Sequence, residues 1–270
     1  MRVGVVGAGG KMGREVCRTI LAEPSLELVA AVDPPMAGTD LWVLLAADAP
    51  GLEVSGTLDS LTAAGAEVVV DFTRVEVARA TLAWCASAGL HAVVGTTGFT
   101  DQDLEDLRQS FPATAEGPNC IVAPNFAIGA VLMMRFAELA APWFDQAEIV
   151  ELHHDAKLDA PSGTSVRTAE RMAEARRSAG RPDYPEDRTT TVVVDGARGG
   201  RGPGGVRMHS VRLRGLVAHQ EVIFGAEGQG LTIRHDSYDR VSFMDGVVVA
   251  VRAVPDRPGL TLGLEPVLGI

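Results

Sequence analysis

The chain has 270 residues, 46% of them hydrophobic and 22% charged, which is the balance of a globular protein with a buried core and room for about two domains. Its formal charge of −11 excludes a broad nucleic-acid surface, which needs clustered Lys and Arg to displace counterions, yet it allows one basic pocket for a small anion. Cys17, Cys85 and Cys120 lie far apart without CxxC spacing, so neither a disulfide framework nor a zinc site is indicated, and a reducing compartment fits. The opening MRVGVVGAGG lacks a signal-peptide core, and no uncharged stretch approaches the roughly 20 residues of a membrane span. A soluble cytoplasmic protein without membrane or nucleic-acid partners is expected.

Val3 to Val6 is a β-forming run that stops at Gly7, and Met12 to Leu21 carries apolar residues at helical spacing. Glu27 to Val32 reads as a second strand, ending at Asp33 and completing a βαβ unit. The alternation continues with a strand at Glu67 to Asp71, a helix from Val75 to Ala88 and a strand at His91 to Val94. A helix from Asp101 to Gln109 and a strand at Cys120 to Ala123 follow. Strands alternating with helices imply parallel pairing, because each crossover returns to the same edge of the sheet. Residues 1–125 are therefore expected to form a Rossmann-like, doubly wound α/β domain.

After Pro124 the rhythm changes. A helix from Ala127 to Ala140, a strand at Glu148 to His153 and a helix from Thr164 to Arg177 precede four short strand-like segments. These are Thr189 to Val194, His209 to Arg214, Ala218 to Phe224 and Gly230 to His235. Such a succession, broken by Gly-rich turns, predicts a second α+β domain over 126–239 with a mixed or antiparallel sheet. Arg198 to Gly205, RGGRGPGG, is expected to be a mobile loop without regular structure. Ser242 to Val251 has helical spacing, so the chain is expected to close with a helix and a short tail.

Gly7, Gly10 and Gly13 are spaced GxxGxxG where a strand meets a helix, and Gly9 adds a further flexible position. Such a turn lets the backbone approach a pyrophosphate and aims a helix N-terminus at it. A GxGxxG pattern would need glycine where Met12 stands. Asp33 sits where a carboxylate accepts hydrogen bonds from an adenosine ribose, which favours NADH. Lys11 and Arg14 in the same turn could offset the repulsion of a 2′-phosphate, so exclusive NADH use does not follow. The same residues would also serve a tight turn and a solvated loop alone.

Glu151 to Thr164 reads ELHHDAKLDAPSGT, a strand-to-helix connection rich in reactive groups. His153 can supply or relay a proton, Lys157 can pair with a carboxylate, and Ser162 to Thr164 can offer N–H groups from a helix start. Core histidines, a solvated lysine and a simple helix cap are the plainer readings of these residues. A metal site ranks below organic catalysis, because adjacent histidines on a strand face opposite ways and no further ligand lies at suitable spacing.

Taken together, GAGGKMG at Gly7 to Gly13, DFT at Asp71 to Thr73, VVGTTGF at Val93 to Phe99, APNFAIG at Ala123 to Gly129 and HHDAKLDAPSGT resemble the 4-hydroxy-tetrahydrodipicolinate (dihydrodipicolinate) reductase family over nearly the whole chain. The resemblance implies NAD(P)H-dependent reduction of a small cyclic dicarboxylate, 4-hydroxy-tetrahydrodipicolinate, with loss of water, in lysine and diaminopimelate biosynthesis. It implies that residues from about 240 to 270 rejoin the N-terminal domain, and that the other domain binds substrate and mediates a homotetramer. Carried over by motif, Gly7, Ala8, Gly9, Gly10, Lys11, Met12, Asp33, Gly95, Thr96, Thr97, Ala123, Pro124, Asn125 and Phe126 would line the cofactor. His153 would be the proton donor or acceptor and Lys157 a second donor and carboxylate partner, while His154, Gly163 and Thr164 would bind substrate. After Asp33 the sequence PPMAGTD offers no basic residue of the kind some NADPH-using relatives carry, so NADH, NADPH or both are expected. A related amino-acid dehydrogenase and a non-catalytic cofactor sensor are the competing readings, and the complete HHDAKLDAPSGT segment weighs against both.

Overall fold

The structure, a computed structural model, describes residues 1–46, 51–114 and 116–270. In chain order the elements are β1 (Arg2–Val6), α1 (Lys11–Ala22), β2 (Glu27–Val32), α2 (Leu41–Leu45), β3 (Val54–Ser55), α3 (Asp59–Ala63), β4 (Val68–Asp71), α4 (Val75–Ala88), β5 (His91–Val94), α5 (Asp101–Ser110) and β6 (Cys120–Val122). They continue with α6 (Ile128–Ala140), β7 (Gln146–His153), α7 (Gly163–Ser178), β8 (Gly200–Arg201), β9 (Arg207–Arg212), β10 (Ala218–Ala226), β11 (Gln229–Ser237), α8 (Met244–Ala253), β12 (Leu260–Leu262) and α9 (Glu265–Leu268). Two compact units emerge, Met1–Ile128 with Arg240–Ile270, and Gly129–Asp239. Among the described residues no helix is long and apolar enough to cross a membrane.

The first unit is built on a parallel sheet in the order β12-β6-β5-β4-β1-β2-β3. The central β4 reads VVVD and is buried at every position, as a strand covered on both faces requires. Gly13, Val16, Cys17 and Ile20 form the buried stripe of α1, at the spacing that puts them on one helix face. Strand order reverses between β1 and β4. The carboxyl ends of strands at such a reversal are where doubly wound sheets bind ligands.

The C-terminal tail departs from expectation, because it supplies an edge strand rather than ending after a helix. β12 pairs with β6, and Asn119 secures it: its Nδ2 donates to the carbonyls of Val254 and Pro255 at 3.0 and 2.9 Å, and its Oδ1 accepts from Gly259 N at 2.9 Å. Three residues are too few to show a period-two pattern; the two residues of β3 and the five each of α2 and α3 are likewise too few to show a strand or helix period, so none was visible in the sequence.

The second unit has a mixed sheet in the order β11-β10-β7-β9-β8. β10 runs antiparallel to β7 and β11, while β7 and β9 are parallel. Along β7, Ala147, Ile149 and Glu151 are buried and alternate with more accessible neighbours, so one face points inward. Arg176 of α7 is buried and donates to the carbonyls of Ala141 (2.8 Å), Phe144 (2.7 Å) and Pro182 (2.8 Å) while stacking on Tyr184. Those bonds tie the helix to the connection between α6 and β7 and to the segment that follows α7.

Two expectations fail in this unit. Thr189 to Val194 is not a strand. Its β-forming residues have no pairing neighbour, and Val193 is 90% exposed; propensity without a partner strand and a buried face does not make a strand. Arg198 to Gly205 is partly regular instead of an unstructured loop: Gly200–Arg201 pairs with β9, and Pro203–Gly205 forms a 3-10 turn. Gly204 has φ +62° and a Cβ there would collide with Ala173, so glycine here allows close packing on α7.

Candidate active site

In the first unit the turn after β1 is held by its own backbone. Gly7 N and Ala8 N donate to the Val32 carbonyl at 2.8 and 3.2 Å, and Gly10 N donates to the Gly7 carbonyl at 3.0 Å. Gly7 has φ +78°, and a Cβ at Gly13 would run into the Gly7 carbonyl, so these positions demand glycine sterically. Asp33 accepts from Gly9 N at 2.8 Å, while Arg14 Nε donates to the Gly9 carbonyl at 2.9 Å. Gly10 caps α1 without any side-chain hydrogen bond, so the first-turn N–H groups stay open to an anion. Lys11 is exposed and Met12 half-buried beside it. This cradle fits the pyrophosphate and ribose of a dinucleotide.

The remaining cofactor candidates gather at the carboxyl ends of β5 and β6. Asp71, 1% exposed, accepts from Thr73 N at 2.7 Å and Thr73 Oγ1 at 2.6 Å, and Thr96 Oγ1 donates to the Thr73 carbonyl at 2.8 Å. Burial pushes the Asp71 carboxyl up, against those two hydrogen bonds. Gly95 lies over the Phe72 ring, where a Cβ would not fit, and Phe72 packs on Phe126 with ring centroids 5.3 Å apart. Ala123 N donates to the Val94 carbonyl at 3.0 Å, and Asn125 Oδ1 accepts from Ala127 N at 2.8 Å. Gly95, Thr96 and Thr97 therefore adjoin the segment Ala123, Pro124, Asn125 and Phe126, with Thr97 and Pro124 exposed.

In the second unit the end of β7, the connection after it and the start of α7 hold His153, His154, Lys157, Gly163 and Thr164. Glu151, fully buried, lies at the centre. Its Oε2 meets His153 Nδ1 at 2.5 Å and accepts from Arg212 Nη1 at 2.9 Å. Its Oε1 accepts from Arg212 Nη2 at 2.8 Å and from Ser162 N at 3.3 Å. Burial pushes the Glu151 carboxyl up, but hydrogen bonds from Arg212, Ser210 and His153 more than offset this and hold it below its ordinary value. Burial lowers the His153 imidazole, while Glu151 pulls the other way without fully compensating.

Ser162 caps α7, its Oγ accepting from Ser165 N at 3.3 Å. Ser165 Oγ donates to Gln220 Oε1 at 2.6 Å, and Gln220 Nε2 to Thr168 Oγ1 at 2.9 Å, all within the core. With the cap satisfied at Ser165, no described hydrogen bond uses the N–H groups of Gly163 and Thr164, and nothing lies within 4 Å of a Cβ position on Gly163. Lys157 Nζ donates to Asp159 Oδ1 at 2.8 Å, and His154 is exposed.

Sequence reasoning did not single out Glu151, Arg212 or Gln220. Glu151 was within reach, since a residue two positions before His153 on a strand shares its face. Arg212 was not, because only the β7–β9 register places it opposite His153.

A parallel nucleotide-binding sheet with a glycine turn at its helix start, joined to a unit that sets an imidazole near the uncommitted N–H groups of another helix start, defines a two-domain pyridine-nucleotide reductase. The chain belongs to the dihydrodipicolinate reductase family: the family models described as "Dihydrodipicolinate reductase, N-terminus" and "Dihydrodipicolinate reductase, C-terminus" match residues 1–126 and 129–268. It is 51% identical over 272 residues to a 4-hydroxy-tetrahydrodipicolinate reductase of Cutibacterium acnes, covering 100% of this chain and 99% of that one. It is 50% identical over 270 residues to the protein of the same name from Nocardia farcinica, with the same coverage. Among solved structures it resembles a dipicolinate-bound dihydrodipicolinate reductase from Paenisporosarcina sp. TG-14, with TM-score 0.85, 41% identity and 98% of each chain covered.

Proposed function

We propose that this chain reduces 4-hydroxy-tetrahydrodipicolinate to tetrahydrodipicolinate in the diaminopimelate route to lysine, consuming one reduced nicotinamide nucleotide and one proton and releasing water. The observation that carries this reading is that one strand-to-helix connection of the second unit holds a half-buried imidazole hydrogen-bonded to Glu151, a lysine, and two helix-start N–H groups that no described hydrogen bond uses. A cyclic dicarboxylate needs two anion partners and a proton source, and this segment provides them.

The residues of the first unit would hold the nucleotide: Gly7, Ala8, Gly9, Gly10, Lys11 and Met12 around the pyrophosphate, Asp33 at the ribose. Gly95, Thr96 and Thr97 with Ala123, Pro124, Asn125 and Phe126 would seat the nicotinamide. When bound, the reduced nicotinamide supplies the hydride. In the second unit Gly163 N, Thr164 N and Thr164 Oγ1 would bind one substrate carboxylate, with Lys157 and His154 on the other. His153, or Lys157 as a second donor, would give a proton to the electron-rich ring carbon left by hydride addition. Asp33 favours NADH, and Lys11 in the same turn would offset its charge toward a 2′-phosphate, so the nucleotide is NADH, NADPH or both.

The family resemblance also supports a homotetramer assembled through the second unit. The three buried free cysteines agree with a reducing cytoplasm. The test is loss of reduced-nicotinamide absorbance, with substrate generated in situ by the preceding synthase from pyruvate and aspartate semialdehyde, using NADH and NADPH separately. Rapid oxidation with either nucleotide is expected; none with both, beside a working control reductase, refutes the proposal.

A further inference from the structure

Glu151 is a carboxylate sealed from solvent two residues before the proposed acid, and both of its oxygens are engaged by donors. Oε1 accepts from Arg212 Nη2 and Ser162 N; Oε2 accepts from Arg212 Nη1 and faces His153 Nδ1 at 2.5 Å. A bidentate guanidinium stabilises the ionised form of a carboxylate, and an ionised carboxylate has no proton to offer. The bond at 2.5 Å therefore has one polarity: Nδ1 carries the proton and donates.

We propose that Glu151 is the positioning residue of this active site, fixing His153 as the Nδ1–H tautomer so that Nε2 is the nitrogen that takes up and delivers the reaction's proton. The inference rests on the reading of His153 as the acid and adds the group that aims it. Arg212 has a defined part. It faces His153 from the parallel strand and keeps Glu151 ionised, so the carboxylate does not itself become the resting place of the proton.

The charged and titratable groups around His153 are few. Glu151 lies on its own strand, Arg212 comes from β9, and Lys157 from the following connection carries Asp159 with it. On the other side β10 presents Ala218, which is neutral. Glu151 favours the imidazolium, while Lys157 and Arg212 disfavour it. The same carboxylate accepts the N–H of Ser162, the cap of α7, so the proton donor and the anion-binding helix start share one anchor. Arg212 Nη2 also donates to the Asp159 carbonyl at 2.6 Å, which holds the connection bearing Lys157 to that anchor.

The experiment is ¹⁵N NMR of the histidine-labelled full chain, combined with steady-state kinetics of E151Q. In the unsubstituted protein above its imidazole titration, His153 is expected to show a protonated Nδ1 and an unprotonated Nε2; the reverse pattern overturns the proposal without any variant. E151Q is expected to mix the tautomers, move the His153 titration to lower pH, and cut kcat about 100-fold with KM within about threefold. In the H153Q background the same substitution is expected to cost almost nothing more, because its effect runs through His153. Unchanged ¹⁵N shifts with kcat within about twofold, or a full additional loss in the H153Q background, overturns it. Should the chain turn over no candidate substrate, the functional reading fails while the tautomer measurement still decides the role of Glu151.

Discussion

Replacing Arg212 by Met, which keeps much of the stem's bulk and removes the guanidinium, tests the energetics of the Glu151 site. The change deletes two hydrogen bonds to a carboxylate that is fully buried, one to the Asp159 carbonyl and one to the Val211 carbonyl. Hydrogen bonds to a charged group contribute about 1.5–3 kcal/mol each, and breaking one side of a buried ion pair costs about 3–5 kcal/mol because the remaining charge is left uncompensated. The Arg212 side chain is 19% exposed, so water relieves little of this. A loss of about 3–5 kcal/mol at pH 8 is expected, a fall in Tm on the order of 10 °C for a unit of this size.

The pH dependence carries the sign. In the unsubstituted chain Glu151 titrates below its ordinary value, so its contribution to stability is present above about pH 4 and is lost as pH falls through the folded value. Without Arg212 burial dominates and the folded value rises above the unfolded one. The carboxyl then favours the fold only while protonated, and that contribution is lost as pH rises. The gap between the two proteins should therefore be small near pH 4 and widen toward pH 8. Urea unfolding followed by circular dichroism across that range measures it. A gap below about 1 kcal/mol, or one that does not change with pH, refutes the reasoning.

Three further outcomes concern the chemistry. His153→Gln should lower kcat by about 10²–10⁴ while nucleotide affinity, read by fluorescence titration, stays within a few-fold; an unchanged kcat removes its role as acid. Lys157→Ala deletes a partner for a substrate carboxylate and should raise KM about tenfold or more, and an unaltered KM and rate would assign that carboxylate elsewhere. Asp33→Asn removes the charge that repels a 2′-phosphate, so the ratio of kcat/KM for NADPH over NADH should rise about tenfold; a fixed ratio would mean that Asp33 only braces Gly9.

Much of this candidate site is legible in the sequence, because its signals are local. Gly7 and Gly13 advertise a turn whose backbone leaves no room for Cβ, and the apolar period of α1 places that turn at a helix start. HHDAKLDAPSGT puts an imidazole, a lysine and a capped helix within one connection, close enough in the chain for spacing alone to suggest an anion pocket. Thr189 to Val194 shows where local signals mislead: the residues favour a strand, but a strand needs a neighbour, and no pairing reaches them.

By itself the sequence determined the elements whose period exceeds a few residues, the glycine turn, and the gathering of an imidazole, a lysine and a capped helix start in one connection. Tertiary structure alone decided which distant groups meet them. Arg212 lies 61 residues from Glu151 and reaches it only through the parallel register of β7 and β9. Gln220 reaches Ser165 and Thr168 only because β10 pairs with β7. Strand β12 exists only because β6 offers an edge and Asn119 bonds the chain that leads to it. Hydrogen-bond register is a property of two chain segments at once, and neither segment records its partner in its own residues.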